Sequence, residues 1–146
     1  MEKITIRPWT EQDIDIVTEM EARCFSDPWN KEAMTASYLA PFTHCFLLEA
    51  GGQVCGYCIL SVLFEDAEVL NIAVDLPHRK QGYGNALMNA MHEKAIALGA
   101  EKCFLEVRES NLSAITLYKK YGYEQYGVRK RYYEDGEDAL AMKKTL

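Results

Sequence analysis

Apolar and polar residues alternate in the first half of the chain in a way that predicts one short strand followed by two helices. Residues 4–6 alternate and open the strand. Thr10 has an acidic residue three positions later, which is an N-cap pattern, and apolar residues then recur at helical spacing as far as residue 22. The segment Asp27-Pro28-Trp29 breaks this pattern, and a second short helix is expected through residues 32–38.

The pattern then changes to two apolar runs around a glycine pair, which predicts a hairpin. Residues 45–49 and 54–63 form the runs, and Gly51-Gly52 forms the turn between them. The second run contains Cys55 and Cys58. Residues three apart in a strand are expected to point to opposite faces, so we interpret these cysteines as buried hydrophobic residues and not as a redox pair.

The second half alternates strand, helix, strand and helix. The strands are expected at residues 68–74 and 102–107, the helices at 84–99 and 113–122, and two final strands at 123–130 and 139–143. Such alternation favours parallel pairing with crossover helices. The predicted fold class is therefore mixed α/β: one central mixed sheet flanked by helices, with an antiparallel N-terminal half and a βαβ C-terminal half, in a single domain over residues 1–146.

Composition narrows the classes of function. The chain has 146 residues, 49% of them apolar, and a formal net charge of −6. A chain that binds nucleic acid directly usually carries a basic surface, so we do not expect that activity, whereas an acidic body suits a cationic substrate. No window reaches the run of about 18 apolar residues that spans a bilayer, so we expect a cytoplasmic protein without a membrane partner. The three histidines show no ligand spacing, and we expect no metal.

A basic and glycine-rich loop precedes the helix at residues 84–99. Its sequence is Arg79-Lys80-Gln81-Gly82-Tyr83-Gly84-Asn85. The first turn of a helix has unpaired N–H groups and a partial positive charge, and glycine lets a ligand approach the backbone closely. The loop therefore predicts a phosphate or diphosphate site. The alternative is that the glycines only form the turn and the basic pair is solvated. Asn85 stands where a P-loop needs lysine, and Leu87 where a Rossmann fingerprint needs a small residue.

A second candidate site lies on the strand at residues 102–107. Alternation places Glu106 on the same face as Phe104 and Arg108, where a covered sheet would require an apolar residue. A carboxylate in such a position is suited to act as a general base. The alternatives are a salt bridge with Arg108 or a half-exposed sheet face. Asn111 is expected to cap the next helix, and spacing alone makes Tyr118 a core aromatic residue of that helix.

The loop resembles the acyl-CoA loop of the GCN5-related N-acetyltransferase (GNAT) family. The segment from Arg79 to Gly84 matches the family pattern Gln/Arg-x-x-Gly-x-Gly/Ala, after a strand and before a long helix. The resemblance implies acetyl-CoA as co-substrate. Its diphosphate would be held by the loop residues Arg79, Lys80, Gln81, Gly82, Tyr83, Gly84 and Asn85, and its pantetheine arm would pair with the backbone of Ile72, Ala73 and Val74.

A longer motif is similar to the ribosomal-protein alanine N-acetyltransferases of this family, called RimI. The motif reads Leu105-Glu106-Val107-Arg108, Asn111, Ala114, Leu117-Tyr118 and Gly122-Tyr123. The resemblance implies that Glu106 accepts a proton from the attacking amine, that Tyr118 protonates the departing thiolate and that Asn111 helps to hold the cofactor. A backbone N–H of residues 72–74 would support the carbonyl oxygen of the thioester.

The same resemblance implies a partner, the basic N-terminal segment of a small-subunit ribosomal protein that begins with alanine. The protein itself would be a monomer or a weak dimer. Acidic side chains that could meet the segment are Glu65, Asp66, Glu68, Asp135 and Glu137. The alternative is that these side chains only solvate hairpins.

Two other functions remain open from the sequence. One is an acetyltransferase of the same fold that acts on a lysine side chain or on a small amine. The other is a CoA-binding regulatory module without turnover.

Overall fold

A seven-stranded sheet runs through the computed structural model, which describes residues 3–146. The elements in chain order are β1 (Ile4–Pro8), α1 (Asp13–Cys24), α2 (Lys31–Leu39), β2 (Thr43–Ala50), β3 (Gln53–Leu63), β4 (Asp66–Val74), α3 (Tyr83–Ala97), β5 (Lys102–Arg108), α4 (Leu112–Lys120), β6 (Glu124–Arg129) and β7 (Ala139–Thr145). A 3-10 turn, Leu76–His78, lies between β4 and α3. Each predicted helix and strand is present.

The order of the strands is β1-β2-β3-β4-β5-β7-β6. The first four strands are antiparallel, β4 and β5 are parallel, and β7 lies antiparallel between β5 and β6. The mixed α/β prediction is confirmed, but parallel pairing between adjacent strands occurs only at β4 and β5. The burial of the side chains explains the order of the last two strands. β7 has buried residues on both faces, as an interior strand requires, whereas β6 is mostly exposed and forms the edge.

Helices cover the two faces of the sheet unequally. α3 and α4 bury their apolar stripes on one face, with Leu87, Met91 and Ile115 in that core. α1 and α2 cover the opposite face over β2, β3 and β4, with Val17 and Met34 in a second core. No residue of β5, β6 or β7 belongs to the second core as described for residues 3–146. One face of the last three strands therefore lies open beside the helices α1 and α2.

Helix α1 begins differently from the sequence prediction. The helix begins at Asp13, and its N-cap residue Gln12 makes no side-chain cap bond. Asp13 Oδ2 accepts hydrogen bonds from the Thr10 amide at 2.6 Å and from the Thr10 hydroxyl at 3.0 Å. The Arg7 guanidinium lies 2.8 Å away, and hydrogen bonding to it holds the pKa of Asp13 at about 2. The prediction of Thr10 as the N-cap is wrong, because its hydroxyl is a donor to Asp13.

The hairpin is confirmed, but the orientation predicted for its two cysteines is wrong. Gly51 and Gly52 both have positive φ, at 58° and 77°, as the tight turn needs. Leu48 pairs with Gly56, and the next residue of β2 pairs with Val54, so Cys55 is the extra residue of a β-bulge. Because the bulge shifts the alternation, Cys55 and Cys58 pack in the same core. Burial raises the pKa of the Cys58 thiol, which makes it a poor nucleophile.

Candidate active site

The two parallel strands at the centre of the sheet separate part of the way along their length. Asp66 of β4 pairs with Lys102 of β5, and the pairing continues only as far as Val69 and Leu105. Both strands continue beyond this point, to Val74 and Arg108. The sheet therefore splits into a gap that opens toward the N-terminal ends of α3 and α4.

A β-bulge in β4 lies where the gap begins. On the β3 side, Ile59 pairs with Asn71 and Leu60 with Val69, so Leu70 is the extra residue. A bulge bends its strand and increases the local twist. This bend gives a physical reason for β4 to leave β5 at this point and not farther along.

The backbone of β4 beyond the bulge has one paired edge and one open edge. The residues Ile72, Ala73 and Val74 pair with β3. The Asp75 amide donates to the Cys55 carbonyl of β3 at 2.8 Å. Because successive backbone groups alternate in direction, the amides of Ile72 and Val74 face away from β3, toward the gap. This open edge can pair with an extended ligand.

The predicted anion loop lies at the end of the gap. Gly82 is the N-cap of α3 and has φ of 81°, a left-handed conformation that favours glycine. A Cβ atom placed on Gly82 would find no atom within 4 Å, so the backbone there is accessible. Arg79, Lys80 and Gln81 are exposed, and Arg79 Nε donates to the Val74 carbonyl at 3.0 Å. The loop thus joins the open edge of β4 to the start of α3.

Other residues predicted to hold the cofactor are engaged by the fold. The Tyr83 side chain is buried in the core under α3, so only its backbone is placed for the loop's role. Gly84 packs near Leu117 of α4. Asn85 accepts two hydrogen bonds at 3.1 Å from the Tyr121 hydroxyl, one on its carbonyl and one on its side chain. These contacts fix α3 against α4, and a direct role of Asn85 in binding stays a prediction.

Asn111 is the N-cap of α4, as predicted. Its Oδ1 atom accepts a hydrogen bond from the Ala114 amide at 3.2 Å. The cap orients the start of the helix that carries Tyr118. The part of Asn111 in holding a cofactor stays a prediction.

Glu106 lies on β5 just beyond the last residue paired with β4. Its side chain is 22% exposed, because no helix covers this face of β5. Its charged partner is Arg129 of β6, whose Nε atom lies 2.6 Å from Glu106 Oε2. The alternative of a half-exposed sheet face is therefore correct. The alternative of a salt bridge with Arg108 is wrong, because the arginine that pairs with Glu106 is Arg129.

Arg108 instead binds three carboxylates from two different loops. Its guanidinium lies 2.6 Å from Asp27, in the loop between α1 and α2. It lies 2.8 Å from Asp135 and 2.8 Å from Glu137, both between β6 and β7. Its carbon atom Cζ lies 4.1 Å from the centre of the Tyr133 ring. Arg108 therefore ties two loops together across the end of β5, directly beside Glu106.

Tyr118 lies on the buried stripe of α4. Its ring packs edge-on against Tyr123 with 5.9 Å between the ring centres. Burial raises the pKa of Tyr118, so the hydroxyl keeps its proton at neutral pH and is available as a hydrogen-bond donor.

Tyr133 is a residue of the site that the sequence reasoning did not single out. Its ionised form would interact electrostatically with both Tyr118 and Glu106, and burial raises its own pKa to about 12. The adjacent pair Tyr132-Tyr133 in a loop was the available signal. The electrostatic coupling of Tyr133 to both predicted catalytic side chains follows only from the fold.

The five acidic candidates for substrate contact are in different places. Glu65 and Asp66 lie at the start of β4, at the opposite end from Val74. Asp135 and Glu137 are bound to Arg108. Only Glu68 remains beside the site, and repulsion from Glu106, after burial, is among the causes that raise its pKa.

Residues 3–146 contain neither a membrane-spanning helix nor a metal-binding cluster. No helix there is long and apolar enough to cross a bilayer. No cluster of three or more His, Cys, Asp or Glu side chains in that range could hold a metal ion.

Comparison with known proteins assigns the chain to a family. Residues 14–123 match the model of the Acetyltransferase (GNAT) family. A relative from Bacillus subtilis (strain 168), provisionally named a ribosomal protein bS18-alanine N-acetyltransferase, is 39% identical over 146 residues, which cover 99% of this chain and 97% of the relative.

Two solved structures match the fold. The crystal structure of the ribosomal-protein-S18-alanine N-acetyltransferase from Escherichia coli has a TM-score of 0.91 and 30% identity, covering 98% of this chain and 94% of that chain. Arabidopsis thaliana NAA60 in complex with acetyl-CoA has a TM-score of 0.88 over 99% of both chains, at 15% identity, which shows a shared fold alone.

Proposed function

The chain belongs to the acetyltransferase (GNAT) family and is an acetyl-CoA-dependent N-acetyltransferase, and from this premise we propose that it acetylates the α-amine of a ribosomal protein that begins with alanine. One observation carries the proposal: a split between β4 and β5 that has an open backbone edge on one side and Glu106 on the other. An extended thioester along β4 would present its carbonyl carbon toward that carboxylate.

The residues at the gap fit acetyl-CoA. The open edge offers the amides of Ile72 and Val74 and the carbonyl of Ile72 to the pantetheine arm, whereas the Val74 carbonyl already accepts a hydrogen bond from Arg79. The exposed loop Arg79–Gln81 and the start of α3 after Gly82 offer positive charge and unpaired amides to a diphosphate. An amide of Ile72 or Val74 is also placed to donate to the carbonyl oxygen as it gains charge.

The proposed reaction transfers the acetyl group directly. The amine nitrogen attacks the thioester carbonyl carbon, and the proton that the amine loses goes to Glu106, directly or through water. The C–S bond then breaks, and the CoA thiolate takes the proton of the Tyr118 hydroxyl. Glu106 then releases to solvent the proton that it gained, and Tyr118 takes one up, which its raised pKa favours, so both groups return to their starting states.

An α-amine is the acceptor that this arrangement suits best. Its ordinary pKa is about 7.7 to 8.0, whereas that of a lysine side chain is about 10.4, so deprotonating the α-amine at neutral pH costs roughly 3 kcal/mol less. A carboxylate held by Arg129 is a modest base, which is enough for the easier deprotonation. The Escherichia coli neighbour is named for acetylation of the alanine of ribosomal protein S18, and the Bacillus subtilis relative is provisionally named for the same acceptor. A ribosomal acceptor would place the reaction in the cytoplasm.

A peptide panel tests the proposal. Peptides with the same basic sequence would differ only in their first residue, and further members would carry a blocked α-amine with a free lysine. We expect acetylation of the α-amine of the peptide that begins with alanine, measured by released thiol and located by fragment mass spectrometry. Acetylation only of lysine would point to the side-chain alternative, and CoA binding without any thiol release would point to the regulatory alternative.

A further inference from the structure

Arg129 reaches Glu106 across a whole strand. Arg129 lies on the edge strand β6, Glu106 lies on β5, and β7 runs between them. Residues opposite each other on neighbouring strands share a face, and Ala141 lies opposite both Glu106 and Gly127, while Ala139 lies opposite Arg129. Two alanines and a glycine leave room on this face, so the long Arg129 side chain can cross β7 and contact the carboxylate.

The contact with Arg129 gives the two carboxylate oxygens of Glu106 different environments, one buried and one nearer to solvent. Oε2 is buried and lies 2.6 Å from Arg129 Nε. That N–H is not aimed at Oε2, which accepts no hydrogen bond within residues 3–146. The 22% of the Glu106 side chain that remains exposed leaves Oε1 as the oxygen that an amine can approach.

Glu106 also faces a second carboxylate. Glu68 of β4 repels Glu106, and Arg129 attracts Glu68 as well. The phenol groups that face Glu106 are Tyr132 and Tyr133, from the loop between β6 and β7. After burial, hydrogen bonding to Glu106 is among the causes that raise the pKa of Tyr132. Arg129 is thus the cation that acts on both carboxylates at the site.

We propose that Arg129 is a positioning residue that keeps Glu106 ionised beside Glu68 and holds Oε2 at β7, which leaves Oε1 on the side of the acceptor amine. The inference rests on the proposed function, in which Glu106 accepts a proton. Arg129 is 56% exposed, and exposed ion pairs add little to stability. The contribution of this pair is therefore to the charge and orientation of Glu106 and not to folding.

The test compares Arg129→Met and Arg129→Lys with the wild-type protein. Without the cation, repulsion from Glu68 disfavours the ionised form of Glu106. We expect kcat/KM of Arg129→Met for the alanine peptide to fall about tenfold at the acidic end of the profile and to approach the wild-type value at the basic end. Arg129→Lys, which keeps the charge, should restore most of the activity.

The matched control is Lys143→Met. Lys143 lies on the same face of β7 and contacts the Tyr126 ring at 5.1 Å, so the change removes one positive charge from this face without touching Glu106. We expect its pH profile to overlay that of the wild-type protein. A second readout independent of turnover is the 13C NMR titration of the Glu106 carboxyl carbon, which should move to higher pH in Arg129→Met alone.

The outcomes separate this inference from the function on which it rests. If Glu106→Gln turns over normally, the assignment of Glu106 as the base fails. If Glu106→Gln is inactive but Arg129→Met keeps the wild-type pH profile and carboxyl titration, only the role of Arg129 fails. A loss of activity in Arg129→Met that is equal at every pH, with an unmoved titration, would likewise overturn it.

Discussion

Glu106 and Tyr118, the proposed base and acid, have contrasting surroundings. Glu106 lies beside the Arg129 guanidinium on a sheet face that no helix covers. Tyr118 lies in an apolar core, where burial raises its pKa and keeps the hydroxyl neutral. The acceptor and the donor of protons in the proposed reaction therefore differ in environment as well as in residue type.

We expect Glu106→Gln and Tyr118→Phe each to lower turnover by at least about 100-fold, because each change removes a proton transfer and little else. Tyr118→Phe keeps the ring that packs on Tyr123. Affinity for acetyl-CoA, measured by calorimetry, should change by less than about threefold, since neither side chain contacts the proposed diphosphate site. Tyr126→Phe, at an exposed tyrosine, is the control. An equal loss of CoA affinity in both variants would assign the two residues to structure.

Single residues also show where sequence reasoning stops. Alternation along β5 placed Glu106 and Arg108 on one face correctly, and the nearest cation in the sequence was the natural partner to propose. The actual partner, Arg129, depends on β7 lying between β5 and β6, which no local pattern encodes. The Arg108 contacts with Asp27 and Asp135 likewise join loops that are distant in sequence.

Among the elements, two helix starts were predicted correctly and one was not. A glycine precedes α3 and Asn111 caps α4, as expected, whereas Thr10 does not cap α1. The bulge at Leu70 could not be predicted, since its strand reads as an ordinary apolar run. Yet the separation of β4 from β5, and hence the open edge of the site, begins at that bulge.

The two ends of α3 allow a matched test of the anion site. Gly82 and Gly99 have φ of 81° and 91°, and a Cβ atom at either would find no atom within 4 Å. Gly82→Leu and Gly99→Leu should therefore each cost about 1 to 2 kcal/mol of stability from backbone strain alone. Only Gly82→Leu should weaken acetyl-CoA binding, by about tenfold or more, because its side chain would stand where the diphosphate approaches.

The measurements are thermal unfolding for both variants and calorimetric titration with acetyl-CoA. Equal melting temperatures with unequal affinities would support a ligand at the start of α3. If the two variants bind acetyl-CoA with equal affinity, the start of α3 is not the anion site, whatever their melting temperatures.

Over the whole molecule, the sequence predicted the elements and the class of fold but not the order of the last three strands. Alternation of strand and helix favours parallel neighbours, and it was correct for β4 and β5. The final strand β7 pairs with both β5 and β6, because its two faces are apolar enough for an interior position. This insertion creates the open face on which Glu106 and Arg129 meet.

Global stability should fall in mild acid chiefly because of the buried histidine His92, with a contribution in the same direction from His44, whose pKa burial also lowers. His92 of α3 is 8% exposed, and its Nε2 atom lies 2.7 Å from the Tyr123 hydroxyl in the core. Burial, and to a smaller extent the nearby Lys144, lowers the pKa of His92 from 6.5 to about 4. Between these two pH values His92 is protonated in the unfolded chain but neutral in the folded protein. Stability is therefore complete above about pH 6.5 and declines as the pH falls toward about 4, by at most about 1.4 kcal/mol per pH unit.

Urea unfolding across this range measures the effect, and His92→Gln tests its origin. Glutamine does not titrate, so the variant should lose less stability on acidification than the wild-type protein, even if it is less stable at neutral pH. His78→Gln, which changes a histidine outside both cores, should keep the wild-type slope. Asp13 has a pKa of about 2 in the folded protein, so the stability that its ionised carboxylate contributes is lost only below about pH 4. This loss therefore falls outside the pH range in which His92 acts. If His92→Gln declines as steeply as the wild-type protein, the acid sensitivity belongs to other groups, and the histidine under α3 is only a packing residue.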